Sequence, residues 1–274
     1  MKPHLPTSLP PLRDIIAQFD LRPDKSLGQH FLLDPNLLER ICRAAGALAG
    51  VNVIEIGPGP GGLTRALLAS EAASVLAVEL DPRAVAATKF LAGFDARLNV
   101  LEADALKLDL TSLTAAPRAI IANLPYNVGT MLLIKWLAQA GDYQSMVLMF
   151  QQEVAERIAA APNSSAYGRV SVLAQWLCDV DIAMHVPAGA FSPPPKVESA
   201  VVRLYPKKTQ PPVEHFKAME RLTAAAFGQR RKMLRGSLRS LGGEALLNRA
   251  KIAPDRRAET LSVAEFERLM LESL

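Results

Sequence analysis

At 274 residues, half of them hydrophobic and 21% charged, the chain can bury a large core and add a small second domain, which excludes a disordered or disulfide-stapled class. Two cysteines, Cys42 and Cys178, lie far apart and form no C-x-x-C pair, so neither a disulfide framework nor a zinc site is indicated and no metal is expected. The net charge of +4 divides unevenly: residues 206–274 carry 14 Lys/Arg against 8 Asp/Glu, or +6, and residues 1–205 carry 17 against 19, or −2, so a basic segment attached to a near-neutral body points to a polyanion partner.

The opening stretch "MKPHLPTSLPPLRDII" has proline where a signal peptide needs an apolar run. No stretch reaches the roughly 18 apolar residues of a membrane span, so a cytoplasmic protein without a membrane partner is expected. A Pro-rich leader and a short helix occupy residues 1–20. "PDKSLGQHFLLD" reads as a loop into a helix near 36–46. "VNVIEIG", "SVLAVEL", "LNVLEAD", "RAIIANL" and "SMVLMF" are short apolar runs, hence buried strands. Helices are expected near 62–70, 82–92 and 129–140 and from about 151, while "VSVLAQWLCDVDIAMHV" and "SAVVRLYP" can supply the last strands. Strands alternating with helices predict an α/β fold, a doubly wound, Rossmann-like parallel sheet. The Pro-rich "PKKTQPPV" then reads as a linker, dividing a domain of residues 1–205 from an all-helical basic domain of residues 206–274.

"VIEIGPGPGGLT" joins the first strand of the alternation to its helix, and Gly57, Gly59 and Gly62 satisfy G-x-G-x-x-G. Glycine lets the backbone turn sharply and lets a ligand approach closely. The helix start beyond offers free N–H groups. Glu79 ends the next strand, where a carboxylate can accept hydrogen bonds from both hydroxyls of a ribose. Asp104 follows the third strand, and an acid there can bind the amino group of an adenine. This pattern fits a nicotinamide cofactor as well as S-adenosylmethionine. Pro58 and Pro60 remove N–H donors that a pyrophosphate would use, which tilts the choice towards S-adenosylmethionine.

The fourth strand ends in "NLPY", Asn123 to Tyr126, at the same edge. An amino group on an aromatic base is a poor nucleophile, because its lone pair is delocalised into the ring. The Asn123 side-chain oxygen and the Leu124 carbonyl can accept its two hydrogens. Pro125 fixes the chain so that this carbonyl points outward, and Tyr126 can stack on the base, a contact worth about 1–3 kcal/mol. Alignment rather than acid catalysis limits an in-line displacement at a sulfonium methyl.

"NLPY" resembles the Asn-x-Pro-Tyr signature of methyltransferases acting on exocyclic amino groups, adenine N6 in particular. "KSLGQHFLLD", "EIGPGPGGLT", "ELDP", "EADAL", "NLPYNVGT", "FQQEVAERI", "YGRVSVLAQ", "FSPPPKVESAVVRL" and "AAFGQRRKMLRGSL" together resemble the ribosomal RNA small-subunit adenine dimethyltransferase family, in that family's order, over residues 25 to about 240. The resemblance implies transfer of methyl groups from S-adenosylmethionine to N6 of two adjacent adenines in a hairpin loop near the 3′ end of 16S rRNA. It implies the immature small ribosomal subunit as partner, with a role in its biogenesis. A monomer is expected. By the same resemblance, His30, Leu32, Gly57, Gly59, Glu79, Asp104 and Asn123 would line the methyl-donor pocket. Asn123, Leu124, Pro125 and Tyr126 would hold the target amine. Phe191, in the stiff "FSPPPKV", would cover the other face of the base. His30 is a departure: the family usually has Asn there, so a protonation state enters the site.

"FGQRRKMLRGSLRSL" reads as one helix that carries Arg231, Arg235 and Arg239 on a shared face, widened by Arg230 and Lys232. Guanidinium groups grip phosphates bidentately, so these five are the expected RNA contacts. The alternatives are relatives that modify 23S rRNA or DNA, a nicotinamide-dependent oxidoreductase, and a non-catalytic RNA-binding factor. "FSPPPKVESAVV" and "AAFGQRRKMLRGSL" argue against the first, the absence of a Tyr-x-x-x-Lys pair against the second, and the intact Glu79, Asp104 and NLPY against the third.

Overall fold

The structure, a computed structural model, describes residues 9–21, 30–229 and 231–274. Helix α1 (Leu12–Gln18) is followed by a two-residue strand, β1 (Phe31–Leu32), and by α2 (Pro35–Ala44), which starts on an Asp34 cap and a proline in the first turn. The alternation then runs β2 (Asn52–Ile56), α3 (Gly62–Leu68), β3 (Ser74–Glu79), α4 (Pro82–Ala92), β4 (Leu98–Glu102), β5 (Arg118–Asn123), α5 (Gly129–Leu137), β6 (Ser145–Gln151) and α6 (Gln152–Ala159). Helix α4 repeats the device of α2, with Asp81 accepting the Arg83 N–H at its start.

Strands β2 to β6 pair in parallel in the order β4-β3-β2-β5-β6. Beyond β6 lie β9 (Ser199–Pro206), antiparallel to it, and β7 (Cys178–Val186). A second, two-stranded sheet pairs β1 with β8 (Phe191–Ser192). The central strands are buried along almost their whole length, as unbroken apolar runs in a parallel sheet require.

Two segments differ from what their sequence predicts. "RVSVLAQWL" is not strand but helix α7 (Arg169–Leu177). Its apolar residues are buried nearly all round, so the sequence carries no period that would separate helix from strand. The Ser171 hydroxyl decides locally, by accepting the Gly168 N–H across the first turn. The long basic helix also does not form. Helix α8 (Val213–Gly228) ends at its glycine, and Gln229 leaves helical geometry at φ −131°, ψ 67°. The N–H groups of Leu234 and Arg235 then donate to the carbonyls of Arg256 and Pro254, at 2.7 and 3.1 Å. These bonds hold α9 (Leu234–Ser237) as a separate four-residue helix.

The chain packs as two units. The first draws on Met1–Leu132, Asp142–Ala155 and Ile182–Tyr205, and the second on Leu133–Gly141, Glu156–Asp181 and Pro206–Leu274. The expected division at 205/206 is one of these joins, and the second unit also takes two earlier segments. Its own core includes α10 (Gly243–Arg249) and α11 (Val263–Leu271), the latter started by a reciprocal Ser262–Glu265 capping box. Phe227 of α8 stacks on Phe266 of α11, with ring centroids 5.6 Å apart. Among the described residues no helix is long and apolar enough to cross a membrane.

Candidate active site

Parallel strands aim their carboxyl ends the same way, and a ligand cleft is expected outside them. In the first unit one cleft is lined by Gly57 and Gly59 after β2, Glu79 at the end of β3, Asp104 after β4, and Asn123 to Tyr126 at the end of β5. His30 and Leu32 line it as well, so the residues expected for the methyl donor and those expected for the target amine share one space.

The glycines divide their work. Gly57 and Gly59 adopt φ +67° and +54°, which side chains resist. Gly62 has ordinary helical geometry, yet a Cβ there would lie 2.9 Å from the Leu32 carbonyl oxygen. It therefore serves close packing of α3 against β1. Gly61, outside the G-x-G-x-x-G count, caps α3 at φ +84°.

Glu79 is 8% exposed and is fixed by three backbone donors. Its Oε1 accepts the N–H groups of Leu80 (2.7 Å) and Asp81 (2.9 Å), and its Oε2 accepts that of Gly59 (3.2 Å). The third bond ties the glycine turn to the end of β3. With three of four lone-pair positions engaged, the carboxylate as it stands can accept one further hydroxyl rather than two. Burial raises its pKa from the ordinary carboxylate value, against the pull of those N–H groups. Asp104 accepts the Leu106 N–H at 3.0 Å and has the exposed Lys107 ammonium 3.8 Å from its other oxygen, a pair worth little in water.

Asn123 sits beside Met149 in the β5–β6 register, half-buried, with its amide nitrogen 3.5 Å from the His30 carbonyl oxygen. Among the described residues no donor reaches its side-chain oxygen or the Leu124 carbonyl, which leaves two acceptors at the strand end. The Pro125 carbonyl accepts the N–H groups of Val128 (3.3 Å) and Gly129 (3.1 Å) and so turns the chain into α5. The Tyr126 hydroxyl bonds Ser199 Oγ at 2.7 Å, which anchors the ring from β9. The His30 ring lies 5.6 Å from that of Tyr126 at 30°. Its Nδ1 is 2.9 Å from the Pro193 carbonyl, which can only accept, so Nδ1 carries a hydrogen.

Phe191, expected to cover the other face of the base, does not line the cleft. Phe191 is 4% exposed, pairs with Leu32 across β8 and β1, and packs into the hydrophobic core. The rigid segment buries this ring instead of presenting it. The basic residues belong to the second unit: Arg231 and Lys232 lie on a turn, Arg235 on α9 and Arg239 on a short 3-10 turn, all exposed and not on one helix face. Arg230 lies outside the described residues.

Glu55, Thr64, Ser199 and Pro193 lie inside the quoted motifs, which assign them no role. Only Glu55 left a signal, a charge inside the apolar run "VNVIEIG". It is 1% exposed, lines the cleft and accepts the Thr64 hydroxyl at 2.7 Å. Four carboxyl groups, Glu55, Glu79, Asp81 and Asp104, line the cleft, and no Lys or Arg joins them among the described residues. Such a wall repels a pyrophosphate and suits a ligand with positive charge. The residues present therefore fit S-adenosylmethionine, whose contribution when bound is an electrophilic methyl group on cationic sulfur.

A family model described as ribosomal RNA adenine dimethylase matches residues 21–273. A protein of Gluconobacter oxydans named ribosomal RNA small subunit methyltransferase A is 59% identical over 98% of this chain and 89% of its own length. The crystal structure of a dimethyladenosine transferase from Plasmodium falciparum is similar with a TM-score of 0.73 at 28% identity, over 89% of this chain and 97% of that one. That of the 23S rRNA methyltransferase ErmE is similar with a TM-score of 0.64 at 25% identity, over 88% and 98%.

Proposed function

The chain belongs to the ribosomal RNA adenine dimethylase family, and on that premise we propose that it modifies two adjacent adenines in a hairpin loop near the 3′ end of 16S rRNA, in the immature small ribosomal subunit, acting as a monomer. It is an S-adenosylmethionine-dependent methyltransferase that dimethylates adenine in ribosomal RNA. The observation that carries the site is the meeting of Glu79, Asp104, Asn123 and Tyr126 at the carboxyl ends of successive parallel strands, in a cleft walled by carboxyl groups.

Each residue has a role that follows from its surroundings. Glu79, held by backbone N–H groups, accepts a ribose hydroxyl of the donor, and Asp104 accepts from its adenine. The open Asn123 oxygen and Leu124 carbonyl accept the two hydrogens of the target amine, directing its lone pair towards the methyl. Tyr126, braced through Ser199, stacks on the target base. An adenine in a loop must be turned outward to arrive there, at a cost of a few kcal/mol. Exposed Arg231, Lys232, Arg235 and Arg239 contact phosphates and offset that cost. Arg230 would join them.

Labelled S-adenosylmethionine is to be incubated with small subunits that lack the modification, beside mature subunits, naked 16S rRNA, 23S rRNA and DNA. Label recovered as N6,N6-dimethyladenine from unmodified subunits alone is expected. Label in 23S rRNA or DNA would keep the chemistry and overturn the substrate. Donor binding without any transfer would favour an assembly factor on a methyltransferase scaffold.

A further inference from the structure

Glu55 has no part in the roles above. It lies two residues before Gly57, faces the cleft and is almost wholly buried, supported by one neutral residue, Thr64, through its hydroxyl and its backbone N–H. One neutral residue with no cation beside it is scant support for a buried carboxylate. The groups around it come from every neighbouring element: Thr64 from α3, Glu79 from β3 and Cys42 from α2, with His30, Asp81 and Asp104 on the cleft wall. No Lys or Arg among the described residues of the cleft offsets its charge. Burial first, then the Glu79 charge, push its pKa up to about 8, while the Thr64 hydroxyl and backbone N–H work against them. Burial likewise pushes the Cys42 thiol to about 11, so Cys42 stays neutral as Glu55 titrates.

We propose that Glu55 is a specificity-determining residue: its carboxyl favours the cationic methyl donor over the demethylated product by releasing a proton to solvent when the donor binds and regaining one when the positive charge is gone. This rests on the cleft being the S-adenosylmethionine site. In the reaction the sulfur–methyl bond breaks with its electron pair left on sulfur. The amine lone pair forms the nitrogen–methyl bond, and the nitrogen sheds a proton. Sulfur enters as a cation and leaves neutral. A cation near a buried carboxyl favours its ionisation, and its disappearance removes that bias. Donor binding is thereby linked to proton release, and product binding is linked to less. A Glu55–Thr64 pair that only staples β2 to α3 would show no such difference.

The test is calorimetric binding of S-adenosylmethionine and S-adenosylhomocysteine to the full chain, from about pH 6.5 to 8.5, in buffers with different heats of ionisation. The ligands' own α-amino groups titrate near here, with reference values of about 7.7–8.0. The reading is therefore wild type against Glu55→Gln with the same ligands. The wild-type preference for donor over product is expected to rise by up to about tenfold across this range beyond any rise in Glu55→Gln, with more protons released by donor than by product. Coincident slopes and proton counts in the two proteins would overturn the proposal. Should Glu55→Gln not fold, Thr64→Val removes the hydroxyl that favours the carboxylate and is expected to move the wild-type midpoint to higher pH. An unmoved midpoint overturns the proposal equally. Glu79→Ala separates the two readings. If it abolishes donor affinity while the Glu55 curves coincide, this inference alone falls. If donor affinity survives, the cleft assignment falls and the inference with it.

Discussion

Asn123 and Arg235 are both singled out by residue type, yet one stands at the end of a buried parallel strand and the other is exposed on a four-residue helix. The strand-end cleft is held by bonds that leave its residues little freedom: three N–H groups on Glu79, Ser199 on Tyr126, and the Pro125 carbonyl turning the chain into α5. The basic segment is held through its backbone and its apolar residues. Leu234 and Leu238 are fully buried, and the charges are left to solvent. Chemistry that needs alignment sits where packing dictates position. On the proposed reading the basic charges need only to meet phosphates, and that tolerates a turn, because a long-range field does not require a helix face.

The contrast can be broken in several ways. The largest expected effect is on stability. Glu55 holds a raised pKa in the folded state, so the folded protein keeps a proton that the unfolded chain releases. Its contribution is complete below about pH 4.5 and is lost as pH rises through about 8. The unfolding free energy of the wild type, from denaturant melts, should fall between pH 5 and 8, by an amount on the order of a few kcal/mol. Glu55→Gln should flatten that fall, leaving the part due to Glu79, whose pKa is raised in the same direction. A wild-type profile as flat as that of the variant would show that the cleft does not hold a proton.

Next, Asn123→Ala should slow methyl transfer by about 100-fold at saturating RNA, since it removes one of the two acceptors proposed to align the amine. A slowing below a few-fold would mean that the strand end does not hold the reacting group. Gly62→Ala should destabilise the protein by about 1–3 kcal/mol in denaturant melts, because its Cβ would meet the Leu32 backbone oxygen at 2.9 Å. Wild-type stability there would show that β1 yields easily. The smallest effect on the fold belongs to the basic segment. Arg231→Glu with Arg235→Glu should change stability by no more than about 0.5 kcal/mol. It should also lower the salt dependence of subunit binding by about one unit for each phosphate that is no longer neutralised, with donor affinity intact.

How much of this was legible follows from the same contrast. The parallel sheet could be read because fully buried strands are short apolar runs closed by glycine or by a polar residue. The cleft could be read because each of its residues is out of place in such a run: a glycine pair, Glu79, Asp104 and Asn123 all close strands or follow them. The hydrogen-bond partners could not. Ser199 and Pro193 are ordinary residues 73 and 163 positions from the side chains they brace, and such separations leave no local pattern. Phe191 is core although its motif suggests otherwise, because a rigid proline run fixes the shape of a segment without choosing whether it faces the cleft or the core. The basic helix was overextended because arginines four apart are compatible with a helix but do not require one. Gln229 and the backbone bonds to Pro254 and Arg256 decided the matter through tertiary contacts.

The division of labour between the two regions is tested most directly by single-turnover methyl transfer on unmodified small subunits, measured at limiting and at saturating subunit. Tyr126→Ala is to be compared with Arg231→Glu combined with Arg235→Glu. Tyr126→Ala should lose about 5- to 150-fold in rate even at saturation, the counterpart of about 1–3 kcal/mol of stacking, with subunit affinity little changed. The arginine reversals should need more subunit to saturate and then reach the wild-type rate. Full rate at saturation for Tyr126→Ala, or a rate defect in the arginine variant that no concentration of subunit repairs, would contradict the account.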